Sequence, residues 1–321
     1  MAAGESVLVT GGSGFLGRSV VAALAGGDGS DGPVVSADLR IPDSDQRIPG
    51  VVYETADVTD RRAIGDLFGG HRIGTVVHLA SIVNPGRDTT PEREYEVDVE
   101  GSRNVLDASV EHGVGRVVVS SSGAAYGYHA DSPVPLVEAD PIRGNRAFPY
   151  SFHKRLVEEM LAGYRETNPE LEQVVLRIGT ILGETVDNQI TALFRRDRLL
   201  KVRGSETPFV FIWDEDVAAI IARAAGPGPP GIFNVAGDGT VTLDLIAEEL
   251  GKSTITVPAF LIKTALFVGN RLGRTPHGPA QVDFLRYRPV LDNTRLKEAF
   301  GYTPKMTSLE AFTAWREAQA L

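Results

Sequence analysis

The sequence predicts an α/β fold: a doubly wound parallel sheet followed by a smaller, mainly helical C-terminal lobe. Three observations carry that expectation. Short runs rich in β-branched residues recur with helical patterns between them, and several are apolar on both faces, as strands covered by helices on each side must be. The first such run ends in a glycine cluster that opens a helix. After Gly179 the regular alternation weakens into helical and irregular segments.

The expected strands are Ser6 to Thr10, Val34 to Asp38, Val51 to Asp57, Thr75 to Ala80, Arg116 to Ser122, Gln173 to Gly179 and Gly231 to Gly237. The later segments, around Asn188 to Leu200, Thr242 to Gly251, Ala259 to Leu272, Asp292 to Phe300 and Ser308 to Ala320, are expected to be helical or irregular. "GPGPPG" at Gly226 to Gly231 reads as a turn between helix and strand. The first lobe is therefore set at 1–180, with 209–237 returning to its sheet. The second, substrate-binding lobe takes 181–208 and 238–321.

With 321 residues, a net charge of -10 and no basic run, the chain is not built to grip nucleic acid or an anionic membrane surface as its main task. It has no cysteine, so disulfides, thiolate nucleophiles and cysteine-held metals are excluded. The six histidines, His71, His78, His112, His129, His153 and His277, lack metal-ligand spacing, and no metal is expected. No export signal or membrane-spanning run is evident, which sets a cytoplasmic location as the expectation.

"TGGSGFLG" places Gly11, Gly14 and Gly17 at G-x-x-G-x-x-G spacing, with Gly12 completing G-x-G-x-x-G. The cluster follows a strand, opens a helix from Phe15 to Leu24, and is followed about 20 residues later by Asp38 at the end of the next strand. Glycines let the backbone approach a pyrophosphate, whose charge meets the amides and dipole of the helix N-terminus. Asp38 would accept from the adenosine ribose hydroxyls and repel a 2′-phosphate, favouring NAD over NADP, with Arg40 as the one contrary sign.

"VVVSSSGAAYG" ends a strand in hydroxyls, and "YSFHK" sets Tyr150 and Lys154 on one helix face. An ammonium beside a phenol favours the phenolate that an acid/base needs, and a strand-end serine can orient a reacting oxygen. Alone, Y-x-x-x-K is usually a solvated helix face; downstream of a dinucleotide signature it reads as catalytic. His153 points off that face and is expected at the surface, and the carboxylates of "EREYEVDVE" and "DEDVA" are expected in solvated helix turns, with Asp214 as an N-cap.

In this order, TGGSGFLG, Asp38, Asp57-Val58, "HLAS", "SSSGAAYG" and YSFHK resemble the extended short-chain dehydrogenase/reductases, the NAD-dependent epimerase/dehydratase group, from Ser6 to about Gly183. The resemblance implies a Rossmann domain with NAD as cofactor, Ser122 as catalytic serine with Ser121 as adjacent candidate, Tyr150 as acid/base and Lys154 as its activator. It also implies that Phe15 and Leu16 join the glycine turn, that Asp57 and Val58 flank the adenine, and that Leu79, Ala80 and Ser81 line the cofactor, with Asn104 steadying that strand end. Dimerisation through roughly Tyr95 to His112 and Tyr150 to Thr167 follows from the same resemblance.

Two departures bear on substrate. Thr180 stands where nucleotide-sugar enzymes of the group carry asparagine, and Phe209 where they carry a phosphate-binding arginine. With Trp213 and the apolar "PAFLIKTALFVG" nearby, a less polar substrate is expected, with Ser121, Thr180, Phe209 and Trp213 as candidate contacts. The expected reaction is hydride transfer between nicotinamide and a secondary alcohol or ketone. The alternatives are a nucleotide-sugar epimerase or dehydratase that retains NAD, and a non-catalytic dinucleotide-binding protein.

Overall fold

A computed structural model describes residues 5–27, 32–86, 89–272 and 278–320; His277 lies outside them. The chain runs β1 (Ser6–Thr10), α1 (Phe15–Ala25), β2 (Val34–Asp38), β3 (Val51–Thr55), α2 (Arg61–Gly70), β4 (Ile73–His78) and α3 (Pro91–Tyr95). One π turn, Glu96–Glu100, leads into α4 (Gly101–Glu111), then β5 (Arg116–Ser122), α5 (Pro149–Thr167) and β6 (Glu172–Ile178). The remainder is β7 (Thr180–Leu182), α6 (Gln189–Phe194), β8 (Arg198–Val202), β9 (Phe211–Trp213), α7 (Asp214–Ala225), β10 (Gly231–Val235), α8 (Leu243–Glu249), β11 (Ser253–Val257) and α9–α12 (Ala259–Arg271, Gln281–Arg286, Thr294–Glu298, Ser308–Ala318).

Seven strands form one parallel sheet in the order β10-β6-β5-β4-β1-β2-β3. The order reverses between β1 and β4, so the carboxyl ends of those strands open a crevice, the position where ligands of such sheets bind. Central strands are apolar on both faces because helices cover both: Val7 and Val9 pack in one cluster with α1 and α7, and Leu8 in the other with α2 and α4. β1 and β4 are buried throughout, which explains their apolar interiors; Ser6, Thr10, Thr75 and His78 are buried with them.

Of the 209–237 segment, β10 joins the large sheet beside β6, whereas β9 pairs with β7 in a separate two-stranded ribbon. The C-terminal lobe is less purely helical than expected. Arg198–Val202, partly in a segment expected to be helical or irregular, is strand β8 paired with β11. Its burial alternates only loosely, so the period-2 signal is weak.

His78, at the end of β4, is buried between two hydroxyls: Thr10 Oγ1 lies 2.7 Å from Nδ1 and Ser102 Oγ 2.9 Å from Nε2. Ser102 donates its proton to the Asp98 carbonyl at 2.6 Å, so Nε2 carries the imidazole hydrogen and Thr10 donates to Nδ1. Burial first, and the positive charge of Lys154 second, push the His78 pKa down to about 4. The unfolded chain protonates this residue near pH ~6.5 while the folded chain resists, so stability falls as pH drops through that window, by about 2 kcal/mol from pH ~7 to ~5. Thermal melts at the two pH values test this: His78→Gln should show a shallower pH dependence than the parent, whatever its absolute stability.

Candidate active site

A cavity of about 1430 Å³ runs along the carboxyl ends of the strands and reaches into the C-terminal lobe. At one end it is walled by Gly11, Gly14, Phe15, Leu16 and Gly17. Here the backbone is packed too tightly for side chains. A Cβ on Gly17 would meet the Gly11 carbonyl oxygen at 2.1 Å, and one on Gly11, whose φ is +72°, would meet the Ala80 nitrogen at 2.7 Å. Gly14 is less crowded, its Cβ meeting the Gly11 carbonyl oxygen at 3.1 Å, and α1 begins after it with no side-chain cap. Uncapped amides of a helix N-terminus facing a cavity suit a pyrophosphate, so the cradle fits a dinucleotide. Gly17→Ala must shift the backbone of the turn, and NAD affinity measured by calorimetry should fall at least about tenfold.

Asp38 closes the turn from the next strand: its Oδ2 accepts from the Ser13 amide at 2.9 Å and its Oδ1 from the Leu39 amide at 2.7 Å. It stands at the rim beside the glycine turn and does not line the cavity. Asp57 and Val58 also lie off the cavity wall. The Asp57 carboxylate bonds the Arg93 guanidinium at 2.8 Å and the Thr59 amide and hydroxyl. Burial opposes its charge, but these bonds hold its pKa below the ordinary carboxylate value. Asn104 donates to the Val58 carbonyl at 2.9 Å, so it steadies this turn and not the end of β4, correcting the sequence expectation. Ala80 contributes backbone under Gly11, while Leu79 and Ser81 line the cavity.

Midway along the cavity stand Ser122, Tyr150 and Lys154. Tyr150 and Lys154 lie one turn apart on α5, with Nζ 5.5 Å from the phenol ring centroid. The ammonium is almost buried and donates to the Ser120 carbonyl at 2.9 Å, which fixes it at the end of β5. Ser122 caps the short helical turn that follows, accepting from the Ala124 amide at 3.1 Å. The three groups expected to do chemistry are thus brought to one wall.

Ser121 also borders the cavity, but its hydroxyl is buried and donates to Glu158 at 2.5 Å, away from the cavity, because alternate residues of a strand face opposite sides. Thr180 and Phe209 line the far part of the cavity, but Trp213 does not: it is buried with Phe194, Phe209 and Phe211 behind that wall. Asp214 does not cap α7 either; Trp213 holds the N-cap position, and Asp214, the first helical residue, accepts from the Glu215 amide at 2.9 Å.

Several groups at the site were not foreseen. His153, expected at the surface, is buried with Nδ1 3.1 Å from Asp98 Oδ2. Asp98 in turn accepts from Ser81 Oγ and the Ile82 amide, each at 2.9 Å, and so holds the loop that lines the cavity after β4. Burial opposes charge on Asp98, yet His153, Lys154 and these donors together keep its pKa below the ordinary value. Glu94 and Asp216 are buried as well, so neither acidic segment is a solvated turn throughout. The sequence signal was the spacing of Glu94, Asp98 and Ser102, which puts them along one helix face turned toward α5.

Arg288 is the other unforeseen group. It lines the cavity with its guanidinium carbon 3.9 Å from the Phe209 ring centroid. It donates to the Leu285 and Thr207 carbonyls, each at 2.5 Å, while its Nε is buried without a partner. Burial lowers its pKa to about 10, and no carboxylate pairs with it among the described residues. Tyr128, Phe148 and Phe284, which also line the cavity, form an aromatic wall with ring centroids 5.0 to 6.2 Å apart. Burial, and then the neighbouring Tyr150, raise the Tyr128 pKa and keep its phenol neutral.

A parallel sheet with a glycine cradle at its switch point and a Ser-Tyr-Lys set shared by the end of β5 and helix α5 defines a nicotinamide-dependent short-chain dehydrogenase/reductase. The chain belongs to the NAD dependent epimerase/dehydratase family, whose model matches residues 7–236. It is 26% identical over 328 residues to an uncharacterized Mycobacterium tuberculosis protein, covering 98% of this chain and 84% of that one. It is 34% identical over 193 residues to the UDP-glucose 4-epimerase of Erwinia amylovora, covering 58% of this chain and 56% of that enzyme. Thermus thermophilus UDP-glucose 4-epimerase in complex with NAD has the same fold, with a TM-score of 0.70, 26% identity and 98% of each chain covered. The protein is thus an NAD-dependent enzyme of this family, and no helix among the described residues is long and apolar enough to cross a membrane.

Proposed function

We propose that the protein moves a hydride between NAD and a secondary alcohol carbon of an anionic substrate of the nucleotide-sugar class. The observation that carries this reading is Arg288, a half-buried guanidinium with its Nε enclosed and unpartnered and no carboxylate partner among the described residues, set into the cavity wall. A cation left uncompensated in a low-dielectric wall gains most from an anionic ligand such as a diphosphate. The sequence departure at Phe209 pointed to a less polar substrate; in the fold, the Phe209 ring supports the face of a guanidinium supplied by the C-terminal lobe.

Gly11, Gly14, Gly17 and Asp38 are the residues that would hold NAD, which accepts or returns the hydride when bound. Ser122 orients the reacting oxygen, Tyr150 takes or gives its proton, and Lys154 places positive charge beside the phenol. The relatives named as UDP-glucose 4-epimerases support a sugar substrate whose hydride is removed and returned in one cycle. A second reading, oxidation of a less polar secondary alcohol, is favoured by the Tyr128, Phe148 and Phe284 wall. A homodimer through the α3–α4 run and α5 is proposed from the family resemblance, and light scattering on the purified protein measures it.

Titration calorimetry with UDP-glucose and UDP tests the main reading. Arg288→Met should weaken nucleotide binding by about 10- to 100-fold, the worth of a charge-assisted hydrogen bond, and leave NAD affinity unchanged. Turnover of uncharged secondary alcohols with no binding of either nucleotide would replace it with the second reading.

A further inference from the structure

Helix α9 presents its apolar side outward. Ile262, Lys263, Leu266 and Gly269 are half-buried toward the body, whereas Phe260, Leu261, Phe267, Val268 and Leu272 lie on the opposite face. Phe260, Phe267 and Leu272 are 66%, 55% and 59% exposed, and no residue of the helix is buried. These side chains recur at i, i+1, i+7, i+8 and i+12, one continuous stripe along the helix. An exposed stripe of this kind marks a surface that meets something other than water.

Charge indicates what it meets. From Gly251 to Val282 the sequence holds Lys252, Lys263, Arg271 and Arg274 and no aspartate or glutamate, in a chain with 42 acidic residues among 321. Arg271 lies on the exposed stripe, and no carboxylate pairs with it among the described residues. Lys263 is turned the other way, toward Asp283 of α10 at 3.0 Å. Lys252 donates to the Phe194 carbonyl at 2.8 Å, so Arg271 is the cation placed on the stripe among the described residues; two copies meeting through it in an isologous contact would bring Arg271 toward its own copy with no acid from the stripe to pair it. An anionic lipid surface fits both features: apolar side chains enter the acyl boundary, and Arg271 stays at the headgroups.

We propose that α9 docks the enzyme peripherally on anionic lipid bilayers, lying in the plane of the interface. With a net charge of -10 the rest of the molecule is repelled by such a surface, so docking is confined to this face and orients the protein. The ion pair from Lys263 to α10, whose Gln281 and Phe284 line the cavity, places the docked helix one layer from the substrate end of the site. The sequence expectation of no membrane contact rested on total charge, which this local segment escapes.

Vesicle flotation of the full chain decides it, using phosphatidylcholine alone and phosphatidylcholine mixed with phosphatidylglycerol. The protein should float with the mixed vesicles, release as salt is raised, and lose about tenfold in partitioning in the Phe260→Ser, Phe267→Ser double variant. Unchanged NAD affinity in that variant shows that it is folded. Failure to float with anionic vesicles, or flotation indifferent to the substitutions, overturns the proposal. So does a parent protein that is larger than the variant by light scattering without lipid, since a second copy would then cover the face.

Discussion

Tyr150→Phe is expected to lower kcat by about 10²- to 10⁴-fold while leaving NAD affinity and the thermal midpoint nearly unchanged. The phenol hydroxyl is the single group removed, and the contacts that fix its neighbours are made by other atoms. Lys154 is held by the Ser120 carbonyl, and Ser122 by the Ala124 amide. The glycine cradle, which would carry the pyrophosphate, belongs to β1 and α1 and shares no hydrogen bond with Tyr150. Stopped-flow or steady-state rates paired with calorimetric NAD titration separate the outcomes. A protein that only senses or stores the dinucleotide would be indifferent to the change. Loss of NAD affinity together with rate would instead show that the phenol helps to seat the cofactor.

What the sequence disclosed and what it hid divide along a physical line. The tight glycine turn and the shared face of Tyr150 and Lys154 were legible as geometry because each is specified locally: close approach demands glycine, and an i,i+4 pair shares a face whatever the fold. The central strands were legible because burial on two faces removes polar residues from a continuous run. His153, Asp98 and Arg288 were not, because their roles depend on partners far along the chain. His153 is one residue from Lys154 but faces α3 and the π turn, 55 residues away from it in sequence at Asp98. Arg288 reaches Phe209 from 79 positions later, and the departure at Phe209 suggested lost charge where the fold restores it. Trp213 failed in the opposite sense: a large aromatic near a presumed pocket packs in the core unless a strand register turns it inward.

Arg177→Leu is expected to destabilise the fold by about 3–5 kcal/mol, since it breaks a buried ion pair by removing one partner. Arg177 on β6 donates to Glu158 through Nε and Nη2 at 2.7 to 3.1 Å, and both side chains are almost fully enclosed. Its Nη1 reaches the Tyr126 hydroxyl at 2.8 Å and the Glu138 carbonyl at 3.0 Å. Tyr126, its pKa raised to about 12 by burial, donates its hydroxyl proton to Asn234 on β10, and Glu158 accepts from Ser121 beside Ser122. The network therefore ties β5, β6, α5 and β10 together behind the reacting groups, with each polar atom partnered. Leucine in place of Arg177 strands the Glu158 carboxylate in the core, and the midpoint of thermal unfolding should drop by roughly 6–10 °C at neutral pH. Adding Glu158→Leu removes the stranded charge, so the double variant should be more stable than Arg177→Leu alone. If the two losses simply add, the pair is not coupled and the strands are held by packing alone. If the double variant regains stability but not turnover, the network's contribution is to fix the carboxyl end of β5, where Ser122 and the Ser120 carbonyl sit, at the geometry that Tyr150 and Lys154 require.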